Sequence, residues 1–598
     1  MTEHGTEPSN PALQAWVRAL TRTAAIEREP TLTLPVLIER QAAERAEAVA
    51  ISSPEATLSY PALAGRAAQY ARFGLRHGLQ SGDVVCLYMN NCAEYFAIWL
   101  GLTRIGVTVA LVNSHLFADA LAHCINIVEP RLLIVGADLA TQFATARPRL
   151  KPDLKCWVCG IGDSDLRPVE AELAHLDVVA LTADEAARPT IDARALYIYT
   201  SGTTGLPKAA NVTHYRLMQW SQWFAGLLNV TAADRMYNCL PLYHSVGGVV
   251  AMGATLAGGG AVVLRPRFSA SDFWRDVVAE ECTLFQYIGE LCRYLVNTPS
   301  QPHETKHRLR IACGNGLRPE VWTVFRDRFA IPRILEYYAS TEGNFSLYNC
   351  EGEPGAIGRI PPFLAQRLPV ALLKFDVDAG EPLRNADGLC ERCGPDEVGE
   401  AVGLIPGERR GRTGRFEGYA DADASKRKVL HDVFKPGDAW YRTGDLMRRD
   451  ERGFYFFVDR VGETYRWKGE NVSTAEVLTV LTAVQGVQEG VVYGVQVPGM
   501  DGRAGMAALV VGTDFSLSAF RAAVVERLPT YARPVFVRLM RVLEATGTFK
   551  PKKHDLQLAG FDPSKVADPL YVDDGAAGAY VVLDAGRFDA VNAGLIRL

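Results

Sequence analysis

The sequence predicts an α/β protein, with a large N-terminal domain of helix-covered, mostly parallel sheets and a small α+β C-terminal domain. Three observations support this prediction. At 598 residues the chain is too long for one hydrophobic core, so two or more domains are expected. Apolar runs of strand length alternate with helical patterns through most of the chain. After about residue 459 the elements become shorter, which predicts a domain boundary there.

Strand, loop and helix follow one another repeatedly in the N-terminal part. The strand-like runs that lead into a loop and a helical pattern are 83–89, 195–200 and 310–317. The helix after the second run is expected to begin near Thr213. Its apolar stripe consists of Leu217, Trp220, Phe224 and Leu227. This alternation indicates parallel sheets, whose ligands bind at the carboxyl ends of the strands.

The remaining elements set the domain boundaries. After the strand at 453–458, shorter strand and helix patterns occupy 489–497, 505–512, 518–528 and 534–542. Residues 31–459 are therefore predicted to form the N-terminal domain, and residues 460–598 the C-terminal one. The tail over 1–30 is polar and contains proline, so it is expected to be loosely ordered.

Composition disfavours several functional classes. The net charge is −5 and the basic residues are scattered, whereas a nucleic-acid interface needs a concentrated basic face. The N-terminus lacks the basic and apolar regions of a secretory signal, so a cytoplasmic location is expected. The twelve cysteines include the pairs Cys156/Cys159 and Cys390/Cys393. The two pairs could form one zinc site if the fold joined them, and otherwise they indicate reduced cytosolic thiols.

One stretch has nearly the length and apolarity of a membrane span. Residues 244–264 contain no formal charge, but they include six glycines, three of them consecutive at 258–260. We expect a helix, a turn and a short buried strand here, with a transmembrane helix as the alternative.

A loop rich in glycine and hydroxyl groups follows the strand at 195–200. Its residues are Ser201, Gly202, Thr203, Thr204 and Gly205, and Lys208 comes after them. It is not a Walker A loop, because Pro207 occupies the place of the second glycine and Ala209 follows the lysine. Glycines let backbone N–H groups turn toward an anion, and the hydroxyls and the lysine add donors and charge. The loop therefore predicts a phosphate site, with a merely flexible turn as the alternative.

Five motifs in order resemble those of the adenylate-forming enzymes, which include acyl-CoA synthetases, luciferases and peptide-synthetase adenylation domains. They are YTSGTTGLPK (199–208), YYASTEG (337–343), YRTGDL (441–446), DRVGETYRWKGEN (459–471) and TGTFK (546–550). Further stretches resemble the fatty acid transport protein and very-long-chain acyl-CoA synthetase branch of that family. These are 286–295, 314–322, 502–509 and 560–571.

The resemblance implies an enzyme with the adenylate-forming fold and a mobile C-terminal domain. It would activate a long- or very-long-chain fatty acid with ATP and Mg²⁺ to an acyl-AMP, and transfer the acyl group to coenzyme A. Thr200 and the loop to Gly205 would hold the β- and γ-phosphates together with Lys208. Glu342 would be the magnesium ligand, since a carboxylate suits a hard cation that bridges phosphates. The alternative for Glu342 is a surface or capping glutamate.

The resemblance also implies the nucleotide contacts. Tyr338 would stack on adenine beside Ala339, Ser340 and Thr341. In the segment Gly314, Asn315 and Gly316, the two glycines would let the backbone approach the base. Asp445 would accept hydrogen bonds from the ribose hydroxyls, and Arg460 would reach the ribose or phosphate and begin the hinge. A plain Asp445–Arg460 ion pair is the alternative.

The remaining implied roles concern chemistry and the other substrates. Lys550 resembles the lysine that catalyses adenylation, although nearby Lys552 and Lys553 leave a solvated basic patch as the alternative. His244 matches a position beside the acyl site, with a core histidine as the alternative. Lys468, Gly469 and Glu470 would border the coenzyme A tunnel. The chain departs from many relatives at Gly462, which leaves the hinge pivot open.

Three other functions remain as alternatives. One is a ligase that loads the acyl group onto a carrier protein, and another is a fatty-acid uptake protein that works by vectorial acylation. The third, a catalytically dead binding protein, is disfavoured because the implied catalytic residues are all present. Acyl length, bile-acid or other carboxylate substrates, oligomeric state including a homodimer, and peripheral contact at the inner face of a membrane stay open.

Overall fold

Buried parallel strands and the helices between them form the first of two compact units in this computed structural model. Unit 1 consists of Met1–Ile360 and Arg410–Lys428, and unit 2 of Pro361–Arg409 and Val429–Leu598. The structure describes residues 10–162, 164–200, 207–376, 379–407, 412–461, 464–467, 470–498, 500, 502–544, 553–596 and 598. The predicted boundary at 459/460 lies within unit 2, so the predicted domain limits differ from the limits of these units.

The helices of unit 1 are α1 (Pro11–Thr23), α2 (Leu34–Glu44), α3 (Tyr60–Arg76), α4 (Ala93–Arg104), α5 (Ala118–Asn126), α6 (Ala140–Ala146), α7 (Glu170–Leu173), α8 (His214–Leu228), α9 (Met252–Ala257), α10 (Phe273–Ala279), α11 (Gly289–Asn297), α12 (Pro319–Arg328) and α13 (Ala422–Lys426). Its strands are β1 (Val49–Ser52), β2 (Thr57–Ser59), β3 (Val84–Tyr88), β4 (Thr108–Leu111), β5 (Leu132–Gly136), β6 (Lys155–Cys159), β7 (Arg167–Pro168), β8 (Arg194–Thr200), β9 (Lys208–Thr213), β10 (Arg235–Asn238), β11 (Ala261–Leu264), β12 (Leu284–Ile288), β13 (Ile311–Asn315), β14 (Ile334–Ala339), β15 (Ser346–Asn349) and β16 (Gly358–Arg359).

Two sheets organise unit 1. One has the strand order β7-β6-β5-β3-β4-β8-β9, in which every pair is parallel except the antiparallel β8 and β9. The other follows the order β16-β15-β14-β13-β12-β10-β11-β1-β2, and its central pairs, from β14 to β1, are parallel. The predicted strands at 83–89, 195–200 and 310–317 are confirmed as β3, β8 and β13. Parallel strands that are buried on both faces explain their uninterrupted apolar runs.

The helix expected after the glycine-rich loop is α8, and its first turn is capped as the sequence suggests. The Thr213 side chain accepts a hydrogen bond from Arg216 N, which satisfies an unpaired donor of the first turn. Leu217, Phe224 and Leu227 are buried. The predicted stripe is therefore confirmed at these positions, while Trp220 is only partly buried against the core.

The apolar stretch 244–264 forms a helix, a turn and a strand, as predicted. A π-helix over Ser245–Ala251 continues into α9, and β11 follows after the glycine turn. Among the residues that the structure describes, none of the helices is both long and apolar enough to cross a bilayer.

The expectation of a loosely ordered tail is wrong for residues 11–28. They form α1 and a short 3₁₀ turn, and α1 buries Trp16 against the rings of Trp223 and Tyr348. Its close contact with α8 depends on Gly226 of α8, because a Cβ there would lie 2.5 Å from Ala19 Cα. The missed signal is the helical spacing of Ala12, Ala15, Trp16 and Ala19.

Unit 2 contains the helices α14 (Thr474–Thr482), α15 (Leu517–Arg527), α16 (Lys553–Ala559) and α17 (Ala585–Asn592). Its strands are β17 (Val370–Asp376), β18 (Glu381–Pro382), β19 (Gly399–Leu404), β20 (Val429–His431), β21 (Ala439–Arg449), β22 (Phe454–Arg460), β23 (Tyr465–Trp467), β24 (Glu470–Val472), β25 (Val487–Val495), β26 (Ala504–Val511), β27 (Phe536–Met540), β28 (Leu570–Asp574) and β29 (Ala579–Val582).

The strands of unit 2 are mostly antiparallel. The order β18-β17-β19-β21-β22 is antiparallel throughout, and β20 pairs with β21. The order β25-β26-β27-β28-β29 contains one parallel pair, β26 with β27. The strands predicted at 489–497, 505–512 and 534–542 and the helix predicted at 518–528 are confirmed as β25, β26, β27 and α15.

Candidate functional site

Lys208 and Glu342 approach the same side chain, that of Tyr419. Lys208 opens β9, and its Nζ lies 5.8 Å from the centre of the Tyr419 ring. The Tyr419 hydroxyl donates a hydrogen bond of 2.9 Å to Glu342 Oε1. The fold thus brings the predicted phosphate-binding lysine and the predicted metal ligand to one buried tyrosine, although they are more than a hundred residues apart in sequence.

The glycine-rich loop itself lies outside the described residues from Ser201 to Gly205. Its two ends are placed, because Thr200 closes β8 and pairs with Lys208 in the antiparallel register of β8 and β9. The loop therefore joins the carboxyl end of a parallel-sheet strand to an antiparallel return strand. This is the edge at which such sheets bind ligands.

The peptide after Glu342 is held by a buried arginine. Arg216, in the first turn of α8, donates from its guanidinium to the Gly343 carbonyl oxygen and stacks over the Trp220 ring. Thr341 shares a hydrogen bond of 3.2 Å with Ser245, the residue after His244. The Thr341–Gly343 turn is thereby connected to both α8 and the start of the π-helix.

His244 is half-buried just before the π-helix, and its ring lies 4.5 Å from that of Tyr243. Its carbonyl oxygen accepts a hydrogen bond from Gly248 N at 2.7 Å. π-Helical turns are frequent at functional sites. The acyl-site role of His244 stays a prediction, beside the alternative of a core histidine.

The loop predicted to approach adenine comes close to its neighbours. Gly316 has φ +78°, and a Cβ on Gly289 would lie 1.8 Å from the Gly316 oxygen. A Cβ on Gly314 would lie 2.3 Å from the Tyr287 oxygen. Asn315 ends β13 between these two glycines. Gly314 and Gly289 are therefore required by close backbone contacts within the protein itself, and Gly316 is favoured by its left-handed backbone conformation.

A buried carboxyl group that sequence analysis missed fixes the same loop. Glu336, in β14, accepts hydrogen bonds from the Tyr287 hydroxyl at 2.5 Å and from Leu317 N at 3.0 Å. Burial raises the pKa of Glu336 to about 8, so its carboxyl group is mostly protonated at neutral pH. Its only signal in the sequence is an acidic residue inside the apolar strand ILEYYA.

The predicted adenine-stacking residues continue from the same strand. Tyr338 and Ala339 end β14, and Ser340 follows them. The Tyr338 ring lies 5.9 Å from that of Phe345, with 34° between the ring planes. A half-buried aromatic face at the carboxyl end of a strand is suited to stacking on a planar ligand.

The predicted ribose contacts lie in unit 2 and form an ion pair. Asp445 in β21 and Arg460 in β22 are paired residues of adjacent strands, and Arg460 Nε lies 3.3 Å from Asp445 Oδ1. Asp445 N donates a hydrogen bond of 3.0 Å to the Thr443 hydroxyl oxygen. The ion pair that was the alternative interpretation is present, and it leaves the ribose role a prediction.

Several predicted residues lie outside the described part of the chain. These are Ser201 to Gly205, Lys468, Gly469, Lys550 and Lys552. Glu470 begins β24, but its side chain is not described. Gly462, the predicted departure at the hinge, also lies outside it.

The cysteine pairs fall in different units, with Cys156 and Cys159 in β6 of unit 1 and Cys390 and Cys393 in unit 2. Where the structure describes the chain, it places no group of three or more His, Cys, Asp or Glu side chains so that they could hold a metal ion. The zinc-site alternative therefore gains no support from these residues.

Comparison with known proteins matches the chain to two family models. The model of the AMP-binding enzyme matches residues 38–388, and that of the AMP-binding enzyme C-terminal domain matches residues 476–550. Long-chain fatty acid transport protein 1 of Mus musculus is 42% identical over 511 residues, which are 85% of this chain and 79% of that protein. Long-chain fatty acid transport protein 6 of Mus musculus is 40% identical over 531 residues, covering 87% and 84%.

Solved structures share the fold at low sequence identity. The anthranilate CoA ligase AuaEII in complex with anthranoyl-AMP has a TM-score of 0.75 and 19% identity, covering 88% of this chain and 97% of that one. A benzoate CoA ligase from Burkholderia xenovorans has a TM-score of 0.73 and 21% identity, covering 88% and 100%. The predicted fold class, that of the adenylate-forming enzymes, is confirmed.

Proposed function

This chain belongs to the AMP-binding enzyme family, and from that premise we propose that it joins a long- or very-long-chain fatty acid to coenzyme A at the expense of ATP. In the first step the fatty carboxylate attacks the α-phosphorus of ATP and expels pyrophosphate, which leaves an acyl-AMP. In the second step the thiol of coenzyme A attacks the acyl carbonyl, loses its proton and releases AMP. The names of the relatives, long-chain fatty acid transport proteins, support the choice of acid.

The observation that carries this proposal is the shared contact of Lys208 and Glu342 with Tyr419. A reaction between two anions needs positive charge and a metal ligand beside the phosphates. Lys208 begins β9, the strand that follows β8 in the chain, and Glu342 lies in the turn after β14. Strands β8 and β14 belong to different sheets of unit 1, and each residue follows the carboxyl end of one of them, where parallel sheets bind ligands.

The donor chemistry of Glu342 fits Mg²⁺. Magnesium is commonly held by one or two carboxylates together with substrate phosphates, so a protein cage is not required. Glu342 is half-buried, and among the described residues no lysine or arginine forms an ion pair with it. When bound, the metal would neutralise charge on the phosphate oxygens. Glu342 would hold it, while Lys208 and the loop from Thr200 to Gly205 would bind the β- and γ-phosphates.

The other roles follow the motif positions. Tyr338 would stack on adenine beside the backbone of Gly314 to Gly316, and Asp445 and Arg460 would bind the ribose. His244 would border the acyl chain, and Lys468 to Glu470 would border coenzyme A. Lys550 would place its positive charge on the attacking carboxylate and the α-phosphate, with residues 460–598 moving between the two steps.

Lys550→Ala tests the chemical role of that lysine. We expect at least a hundredfold loss of fatty-acid-dependent pyrophosphate release, because removal of one charge at the developing phosphate charge costs roughly that factor. The measurement uses purified protein, ATP, Mg²⁺ and a series of fatty acids of increasing length, with and without coenzyme A. The control is Lys565→Ala, whose side chain is exposed beside Asp562.

Unchanged pyrophosphate release in Lys550→Ala would remove this role from Lys550. Absence of pyrophosphate release by the unmutated protein with every fatty acid would contradict the proposed function itself. The coenzyme A arm separates the alternatives, since a ligase that loads a carrier protein would make acyl-AMP without coenzyme-A-dependent release of AMP. An uptake protein that works by vectorial acylation would still release AMP in that arm. A cytoplasmic location with peripheral contact at the inner face of a membrane stays a prediction, as does a homodimer.

A further inference from the structure

Residues 412–428, here termed the Tyr419 segment, lie beside β9. Asn211 N donates to the Gly418 oxygen at 3.0 Å, and Ala420 N donates to the Ala209 oxygen at 2.8 Å. Between these bonds, Ala210 and Tyr419 form an antiparallel bridge. The segment therefore behaves as an additional short strand on β9, and it places the Tyr419 backbone close to Lys208.

A second set of bonds fastens the segment at the far end of β9. The Glu417 carboxylate accepts from Thr213 N at 2.9 Å and from the Thr213 hydroxyl at 2.6 Å. Asn211 Nδ2 donates to the main-chain carbonyl oxygen of Glu417 at 2.9 Å. Because Thr213 also caps α8, the segment is tied to the strand that follows the phosphate loop and to the helix that follows the strand.

The Tyr419 side chain then reaches Glu342 from this support. The tyrosine is buried, with 6% of its surface exposed, and it packs against Ala210 and Ala424. Its hydroxyl donates the 2.9 Å hydrogen bond to Glu342 Oε1. Arg216 holds the Gly343 oxygen on the backbone side. Glu342 is thus fixed through its carboxylate by Tyr419 and through the next peptide by Arg216.

We propose that Tyr419 is a positioning residue, whose hydroxyl orients the Glu342 carboxylate for the divalent cation that accompanies the nucleotide. The inference rests on the proposed function and extends it to a residue outside the motifs that define the family resemblance. Carboxylates that bind a metal are themselves commonly hydrogen-bonded, and loss of such a partner weakens metal binding. The Tyr419 segment also connects this carboxylate to β9, so the metal ligand and the end of the phosphate loop share one support.

The test is Tyr419→Phe, which removes the hydroxyl and keeps the ring. The readout is the affinity for Mn²⁺, measured by the loss of the free Mn²⁺ paramagnetic resonance signal in the presence of a non-hydrolysable ATP analogue. We expect roughly tenfold weaker Mn²⁺ binding, in the range found when a hydrogen-bond partner of a metal ligand is removed. Apparent Mg²⁺ dependence of pyrophosphate release should shift in the same direction.

The matched control is Tyr60→Phe. Tyr60, like Tyr419, is a buried phenol of unit 1, and its hydroxyl donates to the Gly260 main-chain oxygen at 2.7 Å, just before β11 begins. The Tyr60→Phe variant should lower the midpoint of thermal unfolding about as much as Tyr419→Phe does, and it should leave Mn²⁺ binding unchanged. A change in folding alone therefore cannot produce the expected result.

A double variant gives a second, independent measurement. In a protein that already carries Glu342→Gln, adding Tyr419→Phe should leave the Mn²⁺ affinity unchanged, because the hydroxyl acts through the carboxylate. A further tenfold loss in the double variant, or unchanged Mn²⁺ binding in Tyr419→Phe alone, would overturn the proposal. If the unmutated protein bound no Mn²⁺ with the analogue, the metal role of Glu342 and this proposal would both fall. Failure of the proposed function would be recognised separately, by absence of pyrophosphate release.

Discussion

At the scale of single residues, Glu336 shows how burial changes the state of a side chain. Its carboxyl group, on β14, is buried and accepts hydrogen bonds from Tyr287 of β12 and from Leu317 N. Desolvation disfavours the charged form, and this raises the pKa of Glu336 to about 8. The Gly314–Leu317 loop, predicted to approach adenine, is thus held by an acid that is mostly neutral at pH 7.

Glu336→Gln should make folding less sensitive to pH. The ordinary pKa of 4.5 applies to the unfolded chain and about 8 to the folded one, so the contribution of Glu336 to stability is complete below pH 4.5. It is lost as the pH rises toward 8, because only the unfolded chain releases the proton. We expect the free energy of unfolding of the unmutated protein to fall by about 1.4 kcal/mol for each pH unit relative to the variant.

The measurement is chemical denaturation of both proteins at pH 5, 6, 7 and 8. Glutamine keeps the shape of the side chain, with an oxygen that can accept from Leu317 N and an amide that can face Tyr287. Parallel stability curves for the two proteins across this range would show that Glu336 is not protonated in the folded state.

At the scale of elements, the π-helix Ser245–Ala251 illustrates how closely one segment can pack on another. A Cβ on Gly247 would lie 2.5 Å from the Pro241 oxygen, and one on Gly248 would lie 2.1 Å from the Leu242 oxygen. The two glycines let the helix turn back onto the chain that precedes it. They also set the position of His244, whose oxygen accepts from Gly248 N.

Gly248→Ala should therefore destabilise unit 1. The added methyl group meets backbone atoms that cannot rotate away, and overpacking of this kind costs about 1–3 kcal/mol. Thermal unfolding followed by circular dichroism measures the loss.

The control is Gly586→Ala in α17, where the nearest atom to the new Cβ is Asp584 Oδ1 at an ordinary 3.6 Å. There the higher helix propensity of alanine should stabilise by up to about 1 kcal/mol. Equal effects of the two substitutions would contradict the role of close packing.

At the scale of the whole molecule, each compact unit has hydrophobic clusters of its own. Leu196 lies in a cluster formed by residues of unit 1, and Leu509 in a cluster formed by residues of unit 2. Both leucines are fully buried. A domain with its own core can unfold as a separate cooperative unit.

Leu196→Ala and Leu509→Ala should lower different unfolding transitions. Each substitution removes a buried side chain and leaves a cavity, which costs about 2–5 kcal/mol in the unit that contains it. Differential scanning calorimetry of the two variants and the unmutated protein is the measurement. If both variants lowered the same transition by the same amount, the units would not unfold independently.

Much of the fold could be predicted because its elements have local patterns. The apolar runs of β3, β8 and β13 and the stripe of α8 depend on residues within one element, and the structure confirms them. The sequence did not predict α1, whose buried face is made largely of alanine and therefore has weak contrast with its polar neighbours. Nor did it predict that β9 runs antiparallel to β8, since both would look alike as short strands.

The candidate site was likewise predictable only in part, namely at the positions of its motifs. Motif positions identified Lys208 and Glu342, but their common partner Tyr419 comes from a segment without a recognised motif. Arg216 and Glu336 were missed because a charged residue within a helix or strand is usually assumed to face solvent. The predicted pair Asp445–Arg460 has an ordinary structural role as an ion pair, in addition to its proposed one.

By itself, the sequence determined the strands and helices that carry a clear apolar pattern, among them β3, β8 and α8, and which chemical groups follow the strand ends. Tertiary structure decided that Tyr419 joins Lys208 to Glu342, that Glu336 is buried and holds a proton, and that residues 11–23 pack as a helix. The reason is physical. The pattern of an element depends on near neighbours in the chain, whereas desolvation and side-chain hydrogen bonds depend on residues that only the folded chain brings together.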